Sequence, residues 1–366
     1  MTLSLYLVRK LAGSFLLTGS VFFAMLLLFE IVEMVRRFGG TDTPMNDVMW
    51  LAVLHVPATF YQILPMLVIL ASMATFLGLG RNSELVVIRA AGRSALRMLA
   101  APFGATLLFG ALCVAVLNPV VAASTRLYNE RILVLSNPDQ RMQISLEGSA
   151  LWIRQGDATG QTVVRAQAMD SRTLTFTGVS MMRFERETGL PLSRIEAESG
   201  RLEPGQWVLD TAKEWDLLAA NPEREARLFD TLAIPSDLTG EQIREGVART
   251  GSRSIWALPA FIAALDHAGL SSRVHRSQLL AELALPVLMA AMMLIGAVLC
   301  FRHMRSGSMG PRILTTVLAG FALFFVRNFA QVLGENGQIP LSMAIWTPPI
   351  ASILLALGVL LHLEDG

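Results

Sequence analysis

The chain has 366 residues, of which 53% are hydrophobic and 16% charged, and its formal net charge is +1. A water-soluble domain carries about 25% charged residues, so a wholly soluble globular protein is excluded; the apolar excess falls in blocks, which predicts membrane spans. The two cysteines, Cys113 and Cys300, both lie in apolar runs, which excludes a disulfide scaffold and a CxxC metal or redox motif.

A helix needs about 20 mostly apolar residues to cross the hydrocarbon core. Six segments meet that length: 11–35, 50–79, 98–121, 278–301, 313–333 and 341–361. The first is too long for the apolar region of a signal peptide and no small-residue cleavage site follows it, so it is expected to be retained. Pro57 and Pro65 predict a kink in the second. Such breaks are tolerated where neighbouring helices satisfy the freed carbonyls.

Orientation follows the basic residues at the span ends. Arg9, Lys10, Arg81, Arg89, Arg93, Arg97, Arg302, Arg305 and Arg312 fall on one side. The short loops of the other side offer Arg36 and Arg37, offset by Asp42 and Asp47. The first side is expected to be cytoplasmic, with both termini there and the long insert at 135–274 outside.

That insert changes period. Alternating stretches at 150–154, 162–168, 173–185, 193–202 and 206–212 are punctuated by Gly156, Gly160, Gly189, Pro191, Pro204 and Gly205. Short strands with regular turn signals predict an antiparallel sandwich, jelly roll or barrel. After Pro235 the pattern turns helical, and 254–267 reads as a helix lying on the membrane surface. The fold class is therefore an α-helical membrane protein of six transmembrane helices, three before and three after an inserted β domain. The expected divisions are 1–134, 135–252 and 253–366. The two helical halves share no convincing sequence repeat, although a three-plus-three transporter arrangement needs none.

The most informative stretch is 78–92, Gly-Leu-Gly-Arg-Asn-Ser-Glu-Leu-Val-Val-Ile-Arg-Ala-Ala-Gly. Asn82 or Ser83 suits a helix start, Glu84 sits in the first turn where the dipole favours an anion, and Gly92 suits a stop. Leu85 and Ile88 fall on one face. This is a short amphipathic helix on the basic side. It reads equally as a connector resting on headgroups or as a coupling helix docked into a cytoplasmic ATPase. The chain cannot hydrolyse ATP itself: it has no GxxxxGK[ST] loop, and its only lysines, Lys10 and Lys213, lie in no glycine-rich turn.

Charges at or inside spans are costly and usually face a cavity or a partner. Glu30 and Glu33 precede Arg36 and Arg37 at the outer end of the first span, with Glu33 and Arg37 spaced for a helix-surface pair. Arg126 follows the third span. Arg327, with Asn328 and Gln331 beside it and Glu335 two turns on, lies within the fifth. These residues read either as snorkelling side chains or as a ring of cations. The spans contain no aspartate and His55 has no nucleophile motif near it, which argues against an intramembrane hydrolase. His267, His275, His303 and His362 are scattered and predict no metal site.

The run Arg-Asn-Ser-Glu-Leu-Val-Val-Ile-Arg-Ala-Ala-Gly at 81–92 resembles the signature of the lipopolysaccharide export permeases, the LptF/LptG family. The Ser-Glu-Leu-Val-Val form looks more like its LptG branch. Arg302-His-Met-Arg-Ser-Gly-Ser-Met-Gly-Pro-Arg312 is similar to the family's basic loop between spans four and five, and the order of parts matches as well. The resemblance covers the whole chain. It implies a periplasmic β-jellyroll and an inner-membrane permease working as one half of an ABC transporter pore. The implied partners are an LptF-like permease, a dimer of an LptB-like ATPase, and an LptC-like single-span jellyroll protein that receives the lipid. The substrate would be lipopolysaccharide, with no cofactor and no catalysis in this chain. Asn82, Ser83, Glu84, Leu85, Ile88 and Arg89 would form the ATPase-coupling surface, with Glu84 as its carboxylate. In the family, basic residues at the outer ends of spans one and three contact the glycolipid, and Arg36, Arg37 and Arg126 match them. With Glu33 and Arg327 they form the expected substrate-binding set, since arginine binds phosphate oxygens bidentately. Glu30 departs from the pattern, because relatives of the LptG type can carry a lysine about there. A partner-binding scaffold that moves nothing, and the LptF-like paralogue, are the competing expectations.

Overall fold

The computed structural model describes residues 2–39, 44–90, 94–135, 142–147, 150–156, 160–170, 174–185, 190–236, 238–240, 243, 253–267, 271–302 and 310–365. Gly92, Arg93 and most of the basic loop after Arg302 lie outside them. In chain order the elements are α1 (Thr2–Phe38), α2 (Met45–Arg81), α3 (Glu84–Ala90), α4 (Ala95–Leu112), a π-helical turn (Cys113–Leu117) and α5 (Asn118–Leu135). The strands are β1 (Met142–Glu147), β2 (Ala150–Gly156), β3 (Gly160–Ala166), β4 (Ala168–Asp170), β5 (Thr175–Glu185), β6 (Pro191–Glu203), β7 (Gln206–Asp216) and β8 (Arg227–Pro235). The helices with described bounds that follow are α6 (Leu258–His267), α7 (Arg273–Arg302), α8 (Gly310–Glu335) and α9 (Leu341–Asp365). Contacts divide the chain into a helical unit, Met1–Asn129 with Arg253–Trp256 and Arg276–Gly366, and a β unit, Glu130–Ser252 with Ala257–His275.

Among the described residues six helices are long and apolar enough to cross a membrane: Leu3–Phe38, Met45–Arg81, Ala95–Ile132, Arg273–Phe301, Ile313–Glu335 and Leu341–His362. α2 continues as one helix past Pro57 and Pro65. α2 and α7 are the most buried spans, and small residues at their contact explain the close approach. A Cβ on Gly296 of α7 would lie 2.9 Å from the Ile69 carbonyl oxygen and 3.0 Å from Ser72 Cβ on α2. Ser72 Oγ donates to the Met293 carbonyl oxygen across the same contact at 2.7 Å. With few apolar differences between lipid and protein to drive association, such packing and interhelical hydrogen bonds hold spans together. Around this contact lie Leu64, Phe76, Leu99, Met289 and Met292, all buried.

The third span contains the π turn, which leaves the regular ladder locally unsatisfied. Segment Arg253–Trp256 meets it there: Trp256 Nε1 donates to the Ala115 carbonyl oxygen at 3.1 Å, and Asn118 Oδ1 accepts from the Ile255 backbone at 2.8 Å. α1 and α8, by contrast, leave long apolar faces uncovered. Leu16, Leu17 and Leu28 on α1 and Phe321, Phe325 and Phe329 on α8 are all exposed in the single chain.

Among the described residues the β unit forms one eight-stranded antiparallel sheet in which strand order follows chain order, with β3 and β4 both pairing with β5. The predicted strands correspond to β2, β3, β5, β6 and β7; β1, β4 and β8 are additional. Burial follows the two-residue period in two stretches of β6, Ile195 with Ala197 and then Gly200 with Leu202, the phase changing between them, and in Trp207 and Leu209 of β7. Phe176 meets Trp207 edge-on, with ring centres 4.8 Å apart. α6 forms where a membrane-surface helix was expected, but it packs elsewhere: Phe261 and Leu265 belong to the core of the β unit, and Leu265 is fully buried.

Candidate functional site

The end of the bundle that the arginine bias assigns to the cytoplasm is organised by α3. α2 stops at Arg81, its last turn closed by the Asn82 amide donating to the Gly78 carbonyl oxygen at 3.2 Å and the Ser83 amide to that of Gly80 at 3.1 Å. Ser83 has φ +57°, the left-handed conformation that commonly ends a helix. This reverses the chain so that α3 folds back. The helix begins at Glu84, directly after Ser83, one of the two expected starts, whose carbonyl accepts from the Val87 amide at 3.2 Å. Leu85 and Ile88 are buried in the core of the helical unit, while Val87 is exposed. Arg89 lies on α3.

Glu84 is drawn to α1. Its Oε2 accepts from the Tyr6 hydroxyl at 2.7 Å and from Lys10 Nζ at 3.1 Å. Its Oε1 accepts from Lys10 Nζ at 2.9 Å and from Asn82 Nδ2 at 3.2 Å. Lys10 also donates to the Tyr6 oxygen at 3.1 Å, closing a triangle. The Tyr6 hydroxyl, then Lys10 and Asn82, hold the Glu84 carboxyl down to about 2 from its ordinary 4.5. Sequence reasoning used Lys10 only to orient the chain and passed over Tyr6. One signal was available: Tyr6 and Lys10 are spaced to share a helix face.

At the opposite end Glu33 pairs with Arg36 at 2.7 Å, one residue nearer than the spacing considered for Arg37. Both partners are largely exposed, so the pair contributes little to stability. Arg37 lies over the Phe38 ring at 5.9 Å. Glu30, the departure from the family pattern, is held by His55 Nδ1 of α2. The His55 ring in turn stacks on Tyr128 of α5 with centres 4.6 Å apart. Arg126, half a turn before Tyr128, is exposed. The structure thus joins the outer ends of α1, α2 and α5.

Arg327 is placed apart from the other four. It lines a cavity of about 350 Å³ with Tyr61, Gln62 and Pro65 of α2, Glu282 and Leu285 of α7, and Phe324 and Asn328 of α8. The Tyr61 hydroxyl donates to Glu282 Oε2 at 2.6 Å, and Arg327 interacts electrostatically with Glu282. Beside it, Gln331 Nε2 and Ser277 Oγ both donate to Glu335 Oε1, at 3.0 and 2.7 Å. Sequence reasoning missed Glu282, although a carboxylate within the apolar run 278–301 is itself a signal.

The family model described as lipopolysaccharide export system permease LptF/LptG matches residues 5–362. The lipopolysaccharide export system permease protein LptG of Haemophilus influenzae is 23% identical over 358 residues, covering 96% of this chain and 95% of the relative. The match takes in both helical halves and the strands between them, and on that extent the chain belongs to the LptF/LptG family of lipopolysaccharide export system permeases.

Proposed function

We propose that this chain is an LptG-like permease subunit of an ATP-driven exporter in the bacterial inner membrane. It takes lipopolysaccharide from the outer leaflet and passes it to a periplasmic bridge leading to the outer membrane. An LptF-like permease completes the pore, an LptB-like ATPase dimer hydrolyses ATP below, and an LptC-like single-span protein receives the lipid. The observation that carries this reading is the family match across residues 5–362.

The geometry supports it in three ways. The uncovered apolar faces of α1 and α8 suit a second permease across a lipid-holding cavity, with acyl chains against phenylalanines such as Phe321 and Phe325. Arg36, Arg37 and Arg126 at the outer ends of α1 and α5 meet the lipid A phosphates, Glu33 orients Arg36 for that contact, and Arg327 supplies a deeper cation. The β unit, which has an apolar core of its own, serves as the jellyroll at the start of the bridge. ATP binding closes the ATPase dimer, residues 82–89 transmit that closure, and the cavity narrows so that lipid moves towards the jellyroll. A membrane scaffold would bind the same partners without nucleotide-dependent release.

Affinity purification of the chain from its native membrane in mild detergent tests this. The expected result is a soluble ATPase, a second six-span chain and bound lipopolysaccharide, with ATP releasing the lipid. A chain that purifies with none of them, or a complex whose lipid is indifferent to ATP, overturns the proposal.

A further inference from the structure

We propose that Tyr6 and Lys10 are positioning residues that lock the coupling helix α3 to the first span through Glu84, so that motion of α3 is delivered to α1. The inference rests on the exporter reading for the source of the motion. It differs in the partner it gives Glu84, which is α1 of the same chain.

Three observations carry it. First, the Glu84 carboxylate is already occupied. Tyr6, Lys10 and Asn82 contribute four donor contacts between 2.7 and 3.2 Å, and two of those donors belong to α1. A cation on another subunit would have to displace Lys10 or share the same oxygens. Second, α3 has seven residues, too few to hold its own helical conformation. Leu85 and Ile88 seat it in the bundle by non-directional packing, whereas the Glu84 contacts fix its position relative to α1 at both carboxylate oxygens. The pair is charge-assisted and both side chains are about three-quarters shielded from solvent.

Third, α1 is one helix from Thr2 to Phe38, rising about 1.5 Å per residue. Among its described residues Leu7, Leu11, Met34 and Phe38 are the buried apolar side chains, while Leu16, Leu17, Val21 and Leu28 are exposed. A displacement applied at Tyr6 and Lys10 is therefore carried along one continuous helix, which packs against α2 on one side and leaves its other face uncovered. It arrives at Glu30, Glu33, Arg36 and Arg37 on the other side of the membrane.

The test uses the assembled complex in proteoliposomes, comparing the natural chain with Tyr6→Phe, Lys10→Met, Lys10→Glu and the exchange Lys10→Glu with Glu84→Lys. Co-purifying ATPase, ATP hydrolysis and glycolipid released per ATP are measured, together with amide hydrogen exchange of α3. In Lys10→Met, ATPase association is kept while lipid released per ATP falls by about fivefold, as expected for loss of a partly shielded charged hydrogen bond. Tyr6→Phe, which removes one hydroxyl and leaves packing intact, gives a smaller fall in the same direction. Exchange at α3 quickens in both. The charge exchange recovers at least half of the release that Lys10→Glu loses, which a role for Glu84 confined to the ATPase would not allow. Unchanged release per ATP in Tyr6→Phe and Lys10→Met, or no recovery in the exchange, overturns the proposal. If the natural complex shows no ATP-dependent release, the exporter reading fails instead. Exchange at α3 then decides the link, and unaltered rates in both single variants reject it.

Discussion

The Tyr61 hydroxyl on α2 donates to Glu282 on α7 at 2.6 Å, joining the two most buried spans at an acid. Asn118 of α5 lies near enough to interact with both residues, and Arg327 lies in the same cavity. Such a network stabilises only while each member is satisfied. Tyr61→Phe keeps the ring but removes the donor, and an unmet buried acceptor costs about 1–3 kcal/mol. The variant is expected to melt several degrees below the natural chain in a thermal scan in detergent. Glu282→Leu should melt lower still, because it leaves the Arg327 guanidinium in that cavity without the carboxylate it faces.

The same helix pair should be sensitive to volume. Gly296 has the Ile69 carbonyl oxygen and Ser72 in the space a methyl group would occupy, and the obstructing atoms at 2.9 and 3.0 Å are backbone and a short side chain. Gly296→Ala is expected to cost about 1–3 kcal/mol by forcing α2 and α7 apart. Gly13, which has nothing within 4 Å of its would-be Cβ, is the control: Gly13→Ala should melt with the natural chain or slightly above it. Differential scanning fluorimetry of the two purified variants checks the contrast.

The spans and five of the strands were legible because each rests on a short-range pattern: an unbroken apolar run, or alternation bounded by glycine and proline. What escaped depends on partners distant in sequence. Glu84 meets Lys10 across 74 positions, and no local pattern says that a lysine marking the cytoplasmic edge also holds a carboxylate on another helix. Sequence shows His55 only as a histidine with no nucleophile motif near it and Glu30 as a departure from the family's charge pattern, and nothing local joins them, yet the two hold each other. Arg36 took Glu33 from Arg37 because both spacings fit a helix and only the rotamers decide. The apolar stripe of 258–267 is equally suited to headgroups or to a sheet, so sequence period alone could not place α6.

That last ambiguity yields a prediction about the β unit. Leu265 is fully buried with Phe261 in the sheet's core. Leu265→Ala should remove about 2–5 kcal/mol, the range for truncating a buried leucine. The loss should appear as faster protease cleavage and faster hydrogen exchange in β5, β6 and β7. The helical unit, a separate cluster of contacts, should keep its protection. If α6 instead rested on headgroups, the strands would not respond.

The Glu84 contacts also predict a pH dependence of definite sign. The carboxyl titrates at about 2 in the folded chain, drawn down from 4.5 chiefly by the Tyr6 hydroxyl and then by Lys10 and Asn82. Unfolded, it returns to the ordinary carboxylate range, so in acid the unfolded chain binds a proton more readily than the folded one. A depressed folded value means that the contacts stabilise fully above about 4.5 and lose their contribution as pH falls towards about 2. The melting difference between the natural chain and Glu84→Ala should therefore be flat from neutrality down to the upper limit of that window and shrink steadily below it. Lys10→Met, which removes a donor, should begin with a smaller difference from Glu84→Ala and shrink over a narrower, higher range. Thermal scans of the three chains in one detergent across this acid window measure both slopes. A difference that stays constant to the acid end would mean that the Glu84 carboxyl is not held by Tyr6 and Lys10 in the folded chain.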